Sequence, residues 1–194
     1  MDATVSDEMC KPVFLVCTFF GVYYKLQNFL FMPMNGLGQA AIPIVGFNYG
    51  AGKQERVQAA FRTAVPIAAG IALLASVIFC AIPRQLLGLF DAEADMLLLG
   101  VPALRIISVT FVFAAVTMIL GYAASGLGNG LINMIGTGLR QVIILVPLAR
   151  ILGKTAGIHA VWYAFWVAEP LAMIYALISC VHLLHKKGIK KAKA

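Results

Sequence analysis

The chain has 194 residues, of which 61 % are apolar and 12 % are charged, and its formal net charge is +7. A soluble domain is about 45–50 % apolar and about 25 % charged, so this composition excludes an ordinary soluble fold and indicates a protein embedded in lipid. The basic residues lie at the ends of apolar stretches and are not interleaved with aromatic ones. This placement favours anionic lipid headgroups, and not nucleic acid, as their partner.

Six apolar stretches follow one another along the chain. A bilayer core requires about 20 apolar residues per helix. Five stretches reach that length, whereas the second is short and is interrupted by Gly and Pro. Their length and their lack of alternation exclude strands. We therefore predict an all-α integral membrane bundle of six helices, at Pro12–Pro33, Gly36–Tyr49, Val57–Pro83, Met96–Tyr122, Leu131–Leu152 and Gly157–Leu184.

The positions of Lys and Arg predict how this bundle is oriented. The loop after the second helix carries Lys53 and Arg56, and the tail 185–194 carries five lysines, whereas the loop Arg84–Asp95 is mainly acidic. Basic loops mark the cytoplasmic side of a membrane protein. Because six crossings are an even number, we expect a multi-pass protein of the plasma (inner) membrane with both termini in the cytoplasm.

Charged residues inside the predicted spans are the first candidates for function. Lys25, Arg105, Arg140 and Glu169 each fall within a predicted helix, where a charge costs about 2.5–3.5 kcal/mol at the centre. We expect them to face a polar interior or to pair with one another. Glu169 is the one acidic residue deep in a predicted span. It is either half of a structural ion pair, for example with Arg140, or an unpartnered carboxyl group that carries a proton.

Other polar and helix-breaking residues accompany these charges. We expect Lys25 and Gln27 to reach the interior near the second helix, with Gln39 nearby, because an unpaired polar group in lipid is costly. One proline falls inside each of helices 2 to 6: Pro43, Pro66, Pro102, Pro147 and Pro170. Broken helices of this kind occur in transporters that alternate between two states, although Gly and Pro are also generally frequent in membrane helices.

The sequence contains no motif that is typical of a metal site, a disulfide framework or an enzyme. The four cysteines and three histidines show neither metal-ligand spacing nor a disulfide framework. The chain contains no Walker motif, no HExxH and no GxSxG. We therefore expect no enzymatic activity, no cofactor and no bound metal.

A run of small residues near the second predicted helix is the most distinctive motif. Gly36-Leu37-Gly38-Gln39-Ala40 precedes Ile42-Pro43-Ile44-Val45-Gly46-Phe47 and then Asn48-Tyr49-Gly50-Ala51-Gly52, with the basic loop Lys53–Arg56 after it. This run resembles the multidrug and toxic compound extrusion (MATE) family, in which a small-residue helix ends in an Asn-Tyr-Gly-Ala turn before a basic cytoplasmic loop. Small residues also let two helices approach closely.

Further segments extend the resemblance from about Gly21 to Lys187. Gly21–Phe29 with Met32-Pro33 is similar to the seventh helix of bacterial members, and Ala124–Gly130 is similar to the turn after the tenth. The last predicted helix, with Glu169-Pro170 and its basic tail, is similar to the family's last helix. We therefore divide the chain into an atypical segment 1–20, a six-helix lobe 21–184 and a basic cytoplasmic tail 185–194.

The resemblance implies one lobe of a twelve-helix transporter whose central cavity lies between two six-helix lobes. This chain would be the C-terminal lobe, with an N-terminal lobe in cis or in trans as its partner. The implied activity is export of drugs or other small organic molecules, including organic cations, by alternating access, driven by a proton or sodium gradient. The candidate substrate and ion pathway residues are Lys25, Gln27, Gln39, Asn48, Tyr49, Arg105, Arg140 and Glu169.

The chain departs from the family pattern in its coupling residues. Some members use an acidic residue in the tenth helix, but the matching fourth predicted helix has only Arg105. Two alternatives to an exporter therefore stay open. One is a non-transporting membrane fragment or assembly partner, and the other is a flippase for lipid-linked precursors from the same superfamily.

Overall fold

The structure, a computed structural model, describes residues 3–90 and 94–188, which form helices connected by short turns. The acidic loop positions Asp91 and Glu93 and most of the predicted tail lie outside the described residues. The helices are α1 (Ala3–Gly50), α2 (Gln54–Ala81), α3 (Pro83–Gly88), α4 (Ala94–Ser108), α5 (Phe111–Gly126), α6 (Gly130–Gly138), a π-helical segment (Leu139–Leu145), α7 (Val146–Ala156), a 3-10 turn (Ile158–Trp162) and α8 (Tyr163–Lys186).

The first two predicted helices are one continuous helix, so the predicted boundary between Pro33 and Gly36 is wrong. Within α1, the apolar part Cys17–Gly50 has 34 residues and is about 51 Å long at 1.5 Å per residue. Breaking a helix in lipid would leave backbone groups unpaired, and a proline is tolerated within a membrane helix when neighbouring groups satisfy the carbonyl that it frees. Pro33 and Gly36 therefore remain inside α1.

The described residues contain up to five helices that are long and apolar enough to span a membrane, whereas six were predicted. Four helices are long and apolar enough to span: Cys17–Gly50, Gln54–Ala81, Gly130–Thr155 and Ala160–Lys186. The fifth crossing is a broken span, in which α4 and α5 meet at 52°. The predicted all-α membrane bundle is thus confirmed, with one helix fewer than expected.

Side chains compensate the backbone at the bend between α4 and α5. The last carbonyls of a helix have no partner within it. Here Ser108 Oγ donates to the Arg105 carbonyl at 3.1 Å and Thr110 Oγ1 donates to the Ile107 carbonyl at 2.7 Å. Trp166 Nε1, from α8, donates to the Ile106 carbonyl at 2.8 Å. Three consecutive carbonyls are therefore satisfied, which allows the span to bend inside the bilayer.

The two ends of the described bundle lie on opposite faces. At the C-terminal end, Lys187 Nζ lies 4.2 Å from the centre of the Tyr49 ring and donates to the Leu127 carbonyl at 2.6 Å. At the other end, the ring centres of Phe19 and Trp162 are 5.0 Å apart. The start of the first span and the end of the last are therefore on different sides. The expectation that both chain termini lie in the cytoplasm concerns residues outside the described part of the chain and stays a prediction.

All three helices that end at the Lys187 face are closed by a glycine with positive φ. Gly52 follows α1, Gly128 follows α5 and Gly188 follows α8, with φ values of 70°, 80° and 70°. The Lys53 amide donates to the Asn48 carbonyl at 2.9 Å and the Asn129 amide to the Ala124 carbonyl at 3.0 Å. These are typical helix C-caps; Asn48, Tyr49 and Gly50 form the last turn of α1, and the chain turns at Ala51 and Gly52.

Helix α5 is the centre of the bundle, packed against α1, α2, α6 and α8. Its crossing with α1 is very close. A Cβ placed on Gly126 would lie 2.7 Å from the Ile42 carbonyl oxygen, and one on Gly38 would overlap the Tyr122 ring. The small residues of the motif therefore do bring two backbones together, as expected for membrane helices.

We predict that Gly126→Ala destabilises the bundle, because the added methyl group meets the α1 backbone, which cannot move aside as a side chain could. The expected loss is about 1–3 kcal/mol in the free energy of unfolding, measured by denaturant titration in micelles. Gly36→Ala is the matched control, since a Cβ there has nothing within 4 Å. Equal stability of the two variants would contradict the close crossing.

Candidate functional site

A polar cavity of about 300 Å³ opens between α1, α5, the α6–π-helical segment and α8. Ligand pockets in proteins usually measure about 300–1,000 Å³, so this one suits a small molecule. Its walls combine amide, hydroxyl and aromatic groups with one guanidinium. The lining residues are Tyr24, Gln27, Asn28, Phe31, Asn35, Ala114, Thr117, Met118, Gly121, Tyr122, Ile132, Asn133, Gly136, Thr137, Arg140, Gln141, Tyr175 and Ala176.

The lining follows from polar stripes on otherwise apolar helices. Asn133, Thr137 and Gln141 are spaced four residues apart and all line the cavity, because residues at i and i+4 share one face of a helix. On α1, Gln27, Asn28 and the more distant Asn35 form a second stripe. Each stripe turns inward because polar side chains in lipid need partners or water.

A hydrogen bond crosses the cavity wall between α1 and α5. Tyr122 Oη donates to Asn35 Oδ1 at 2.8 Å. The hydroxyls of Thr117 and Thr137 donate to carbonyls of their own helices, each at 2.9 Å. These bonds use hydroxyl groups at the wall, whereas the charged side chain of the cavity is contributed by Arg140.

Arg140 and Glu169 form an ion pair beside the cavity. Arg140 Nη1 lies 3.0 Å from Glu169 Oε1 and 3.1 Å from Oε2. The side chain of Arg140 is 23 % exposed and that of Glu169 is 7 % exposed, so the arginine reaches the cavity and the carboxylate lies behind it. This pairing confirms the first of the two possibilities for Glu169. The charge that would be costly in lipid is balanced within the bundle.

The arginine sits in the π-helical segment Leu139–Leu145. Wide helical turns of this type are rare and occur frequently at functional sites. Pro147 follows at the start of α7, and a proline has no N–H to donate to the preceding turn. The helix is not broken here, since Gly130–Thr155 is one continuous span; its wide turn lies at Arg140 and Gln141, which both line the cavity.

Other predicted site residues lie apart from this cavity. Lys25 is exposed, with Nζ 6.0 Å from the centre of the Phe90 ring, and Gln39 is also exposed. The expectation that Lys25 joins Gln27 in the interior is therefore wrong, as is the placement of Gln39 beside them. Tyr24 lines the cavity, whereas Lys25, the next residue of the same helix, points away from the cavity wall because successive side chains of a helix face different directions.

The remaining candidates occupy two other places. Arg105 is exposed on α4, near the bend. Asn48 Nδ2 donates to the Ile44 carbonyl at 2.8 Å, and Tyr49 stacks under Lys187 at the basic end of the bundle. Of the eight predicted residues, Gln27 and Arg140 line the cavity and Glu169 supports it from behind.

Most polar residues that line the cavity were not predicted from the sequence. Asn35, Tyr122, Asn133, Gln141 and Tyr175 all line the cavity, yet none of them carries a charge that would attract notice in an apolar stretch. The four-residue spacing from Asn133 to Gln141 was a usable signal. No signal along the chain links that stripe to Asn35 or Tyr175, because their proximity depends on how four helices pack.

Fold and cavity together define a polytopic helical membrane protein with a polar ligand-sized site between its spans. Residues 19–151, more than half of the chain, match the MatE family, and the chain belongs to the MATE family of transporters. The curated relatives include the multidrug export protein MepA of Staphylococcus aureus, 21 % identical over 170 residues, and MepA of Staphylococcus saprophyticus, 20 % identical over 181 residues. These alignments cover 87 % and 90 % of this chain.

Solved structures of the family share this fold. An inward-facing MATE transporter of the MOP superfamily superposes with a TM-score of 0.82 at 22 % identity, covering 90 % of this chain and 41 % of that one. The transporter DinF-BH, solved in complex with rhodamine 6G, gives a TM-score of 0.76 at 30 % identity, covering 90 % and 38 %. The chain likewise spans only 37 % and 38 % of the two MepA relatives. It therefore corresponds to well under half of a complete member.

We predict that Arg140→Gln lowers the free energy of unfolding by about 3–5 kcal/mol, because Glu169 would be left buried without its cation. The double variant Arg140→Gln with Glu169→Gln should lose much less, since no charge is then unpaired. Denaturant titration in micelles measures both. Arg105→Gln, at an exposed arginine, is the control and should change little. Equal losses in the single and double variants would show that the pair is not what stabilises this site.

Proposed function

We propose that this chain forms the C-terminal lobe of a cation-driven exporter of small organic molecules. The observation that carries the proposal is the polar cavity of about 300 Å³ inside a member of the MATE family. Its mixture of aromatic, amide and charged groups suits molecules with both apolar and polar parts. The MepA relatives are multidrug export proteins.

We assign the rest of the transporter to a partner lobe. The chain covers 37–43 % of its relatives, and the described bundle has up to five spans. Twelve helices in two lobes, as the family resemblance implies, require a second lobe, in the same polypeptide or in another. The transport cycle is alternating access, in which the two lobes move about a site between them.

The energy source in this proposal is a proton or sodium gradient. Among the described spans, the one deeply placed carboxylate is Glu169, and its two oxygens are already engaged by Arg140 Nη1. A carboxylate held this way is a poor site for a second cation. We therefore place the coupling carboxylates in the part of the transporter that lies outside this chain.

We propose that the Lys187 face of the bundle is cytoplasmic. Lys53, Arg56, Lys186 and Lys187 lie at this end, and basic residues accumulate on the cytoplasmic side of membrane proteins. Lys53 follows the end of α1, and Lys186 and Lys187 lie at the end of α8, where cations interact favourably with the helix dipole. The start of the first span, at Cys17, is then on the external side.

Labelling of single cysteines in intact cells tests this topology in a cysteine-free background. Cys17, restored as the sole cysteine, should react with an impermeant maleimide, as should Gln85→Cys between α2 and α4. Lys53→Cys and Lys186→Cys should react only after the membrane is permeabilised. Protection of Cys17 together with labelling of Gln85→Cys would favour six crossings and contradict the orientation proposed here.

Transport of rhodamine 6G tests the exporter itself. We expect no export by cells that express the chain alone, and export once it is co-expressed with the polypeptide encoded immediately upstream. Asn133→Ala should then slow export about 2- to 10-fold, the effect of one lost hydrogen bond. Gln85→Ala, outside the cavity, is the matched control. Export by the chain alone would contradict the half-transporter proposal, and failure of the pair to export would contradict the exporter.

A further inference from the structure

Two asparagine side chains in the cavity wall keep their amide N–H groups free. Asn35 belongs to α1 and Asn133 to α6, and both line the cavity. Within the described residues, neither Nδ2 atom donates to another residue, whereas each Oδ1 atom contacts α5. We propose that these two amides select exported molecules by donating hydrogen bonds to a neutral oxygen acceptor, such as a ketone or ester carbonyl. The proposal rests on the exporter function above and names the substrate group that the cavity recognises.

Tyr122 fixes the orientation of Asn35. The Tyr122 hydroxyl donates to Asn35 Oδ1 at 2.8 Å, so the protein already engages the acceptor side of this amide. An asparagine amide carries two N–H donors besides that oxygen, and these donors are what remains for a ligand. The tyrosine ring is itself held against α1 at Gly38, where a Cβ would overlap it. Tyr122 is therefore a positioning residue, which acts on the ligand through Asn35.

Gly121 orients Asn133 by a different contact. A Cβ at Gly121 would overlap Asn133 Oδ1, and the Cγ and Cβ atoms of the asparagine are the next nearest to that point. The oxygen thus lies against the α5 backbone, and the amide nitrogen lies farther from it. Gly121 and Tyr122 are consecutive residues of α5. One turn of this helix therefore engages the oxygens of both asparagines and leaves their N–H donors to the cavity.

Free amide donors favour a ligand that carries an acceptor. A carbonyl oxygen has two lone pairs and can accept from an uncharged N–H group. A ligand with a methylene group in place of the carbonyl would cut the amides off from water without offering a partner, which is costly. Sites built to donate a hydrogen bond discriminate against such analogues for this reason. The amides need only the oxygen-bearing end of a molecule, so larger and cationic molecules, including the ester rhodamine 6G, satisfy the same requirement.

Two cations that differ by one oxygen test this selection. Phenacyltrimethylammonium and phenethyltrimethylammonium share a benzene ring and a quaternary ammonium group, but only the first has a ketone. Equilibrium dialysis of each radiolabelled probe against the full chain in zwitterionic nanodiscs measures its Kd, with empty nanodiscs subtracted. We expect the ketone to bind about 3- to 30-fold more tightly. Because the two charges are equal, the ratio of the two Kd values isolates the effect of the oxygen. Equal binding of the two probes, or no binding of either, would overturn the proposal.

Variants assign the preference for the ketone to the two amides. Asn35→Leu and Asn133→Leu should each lower the ratio of Kd values, and the double variant should bring it close to unity. Gln39→Leu is the matched control, because it removes an amide from the same helix as Asn35 at an exposed position outside the cavity. Its ratio should not change. The ratio compares two ligands on one protein, so a lower yield of a folded variant does not alter it. An unchanged ratio in either the single variants or the folded double variant would overturn the role of the amides.

Tyr122→Phe tests the positioning of Asn35. This change removes the hydroxyl and keeps the ring over Gly38, so the Asn35 amide can rotate and the ratio should fall about 2- to 5-fold. In an Asn35→Leu background the same change should have no further effect, because the tyrosine acts through that amide. Equal effects in the two backgrounds would contradict a positioning role for Tyr122.

Selective binding and export can fail separately. The ratio of Kd values is measured on this chain alone, whereas export of rhodamine 6G requires the partner lobe. Export without any preference for the ketone would overturn recognition by the amides and leave the exporter function standing. A preference for the ketone with the expected variant pattern would support the amide site even if rhodamine 6G is not exported.

Discussion

Satisfaction of the backbone inside lipid is the constraint on which the rest of this structure depends. A bilayer supplies no water to pair with free N–H and C=O groups, so each must find a partner within the protein. That requirement keeps α1 continuous through Pro33. It also explains why the bend after α4 is lined by donors from Ser108, Thr110 and Trp166. A helix can break in this bundle only where side chains take over the backbone's hydrogen bonds.

The same constraint makes a polar cavity inside the bundle costly in free energy. A polar site within apolar spans needs internal partners for its side chains. The chain supplies them through the Tyr122–Asn35 hydrogen bond and the Arg140–Glu169 ion pair. The π-helical segment then sets the direction of Arg140. A packing role alone would be served as well by apolar side chains, so the retained polar groups are consistent with a site that binds solutes.

The basic face is organised by helix ends rather than by charge alone. α1, α5 and α8 all finish there in glycine caps, and Lys187 joins the three ends by contacting Tyr49 and the Leu127 carbonyl. A cation at this position neutralises the negative ends of several helix dipoles at once. Helix termination is therefore a physical reason for positive charge at this face that does not depend on which side of the membrane it faces.

Sequence alone determined the membrane class, because long apolar runs have few physical solutions, and the small-residue motif identified the family. It offered Arg140 as one possible partner for Glu169 but also allowed an unpartnered carboxyl group, and the tertiary structure showed the pair. The sequence did not determine that two predicted helices are one, since proline and glycine break helices in water but not necessarily in lipid. Nor did it separate Gln27, which lines the cavity, from Lys25, which does not. Only tertiary structure decided that, because the cavity exists where four helices meet, and which face of α1 turns inward is set by its close crossing with α5.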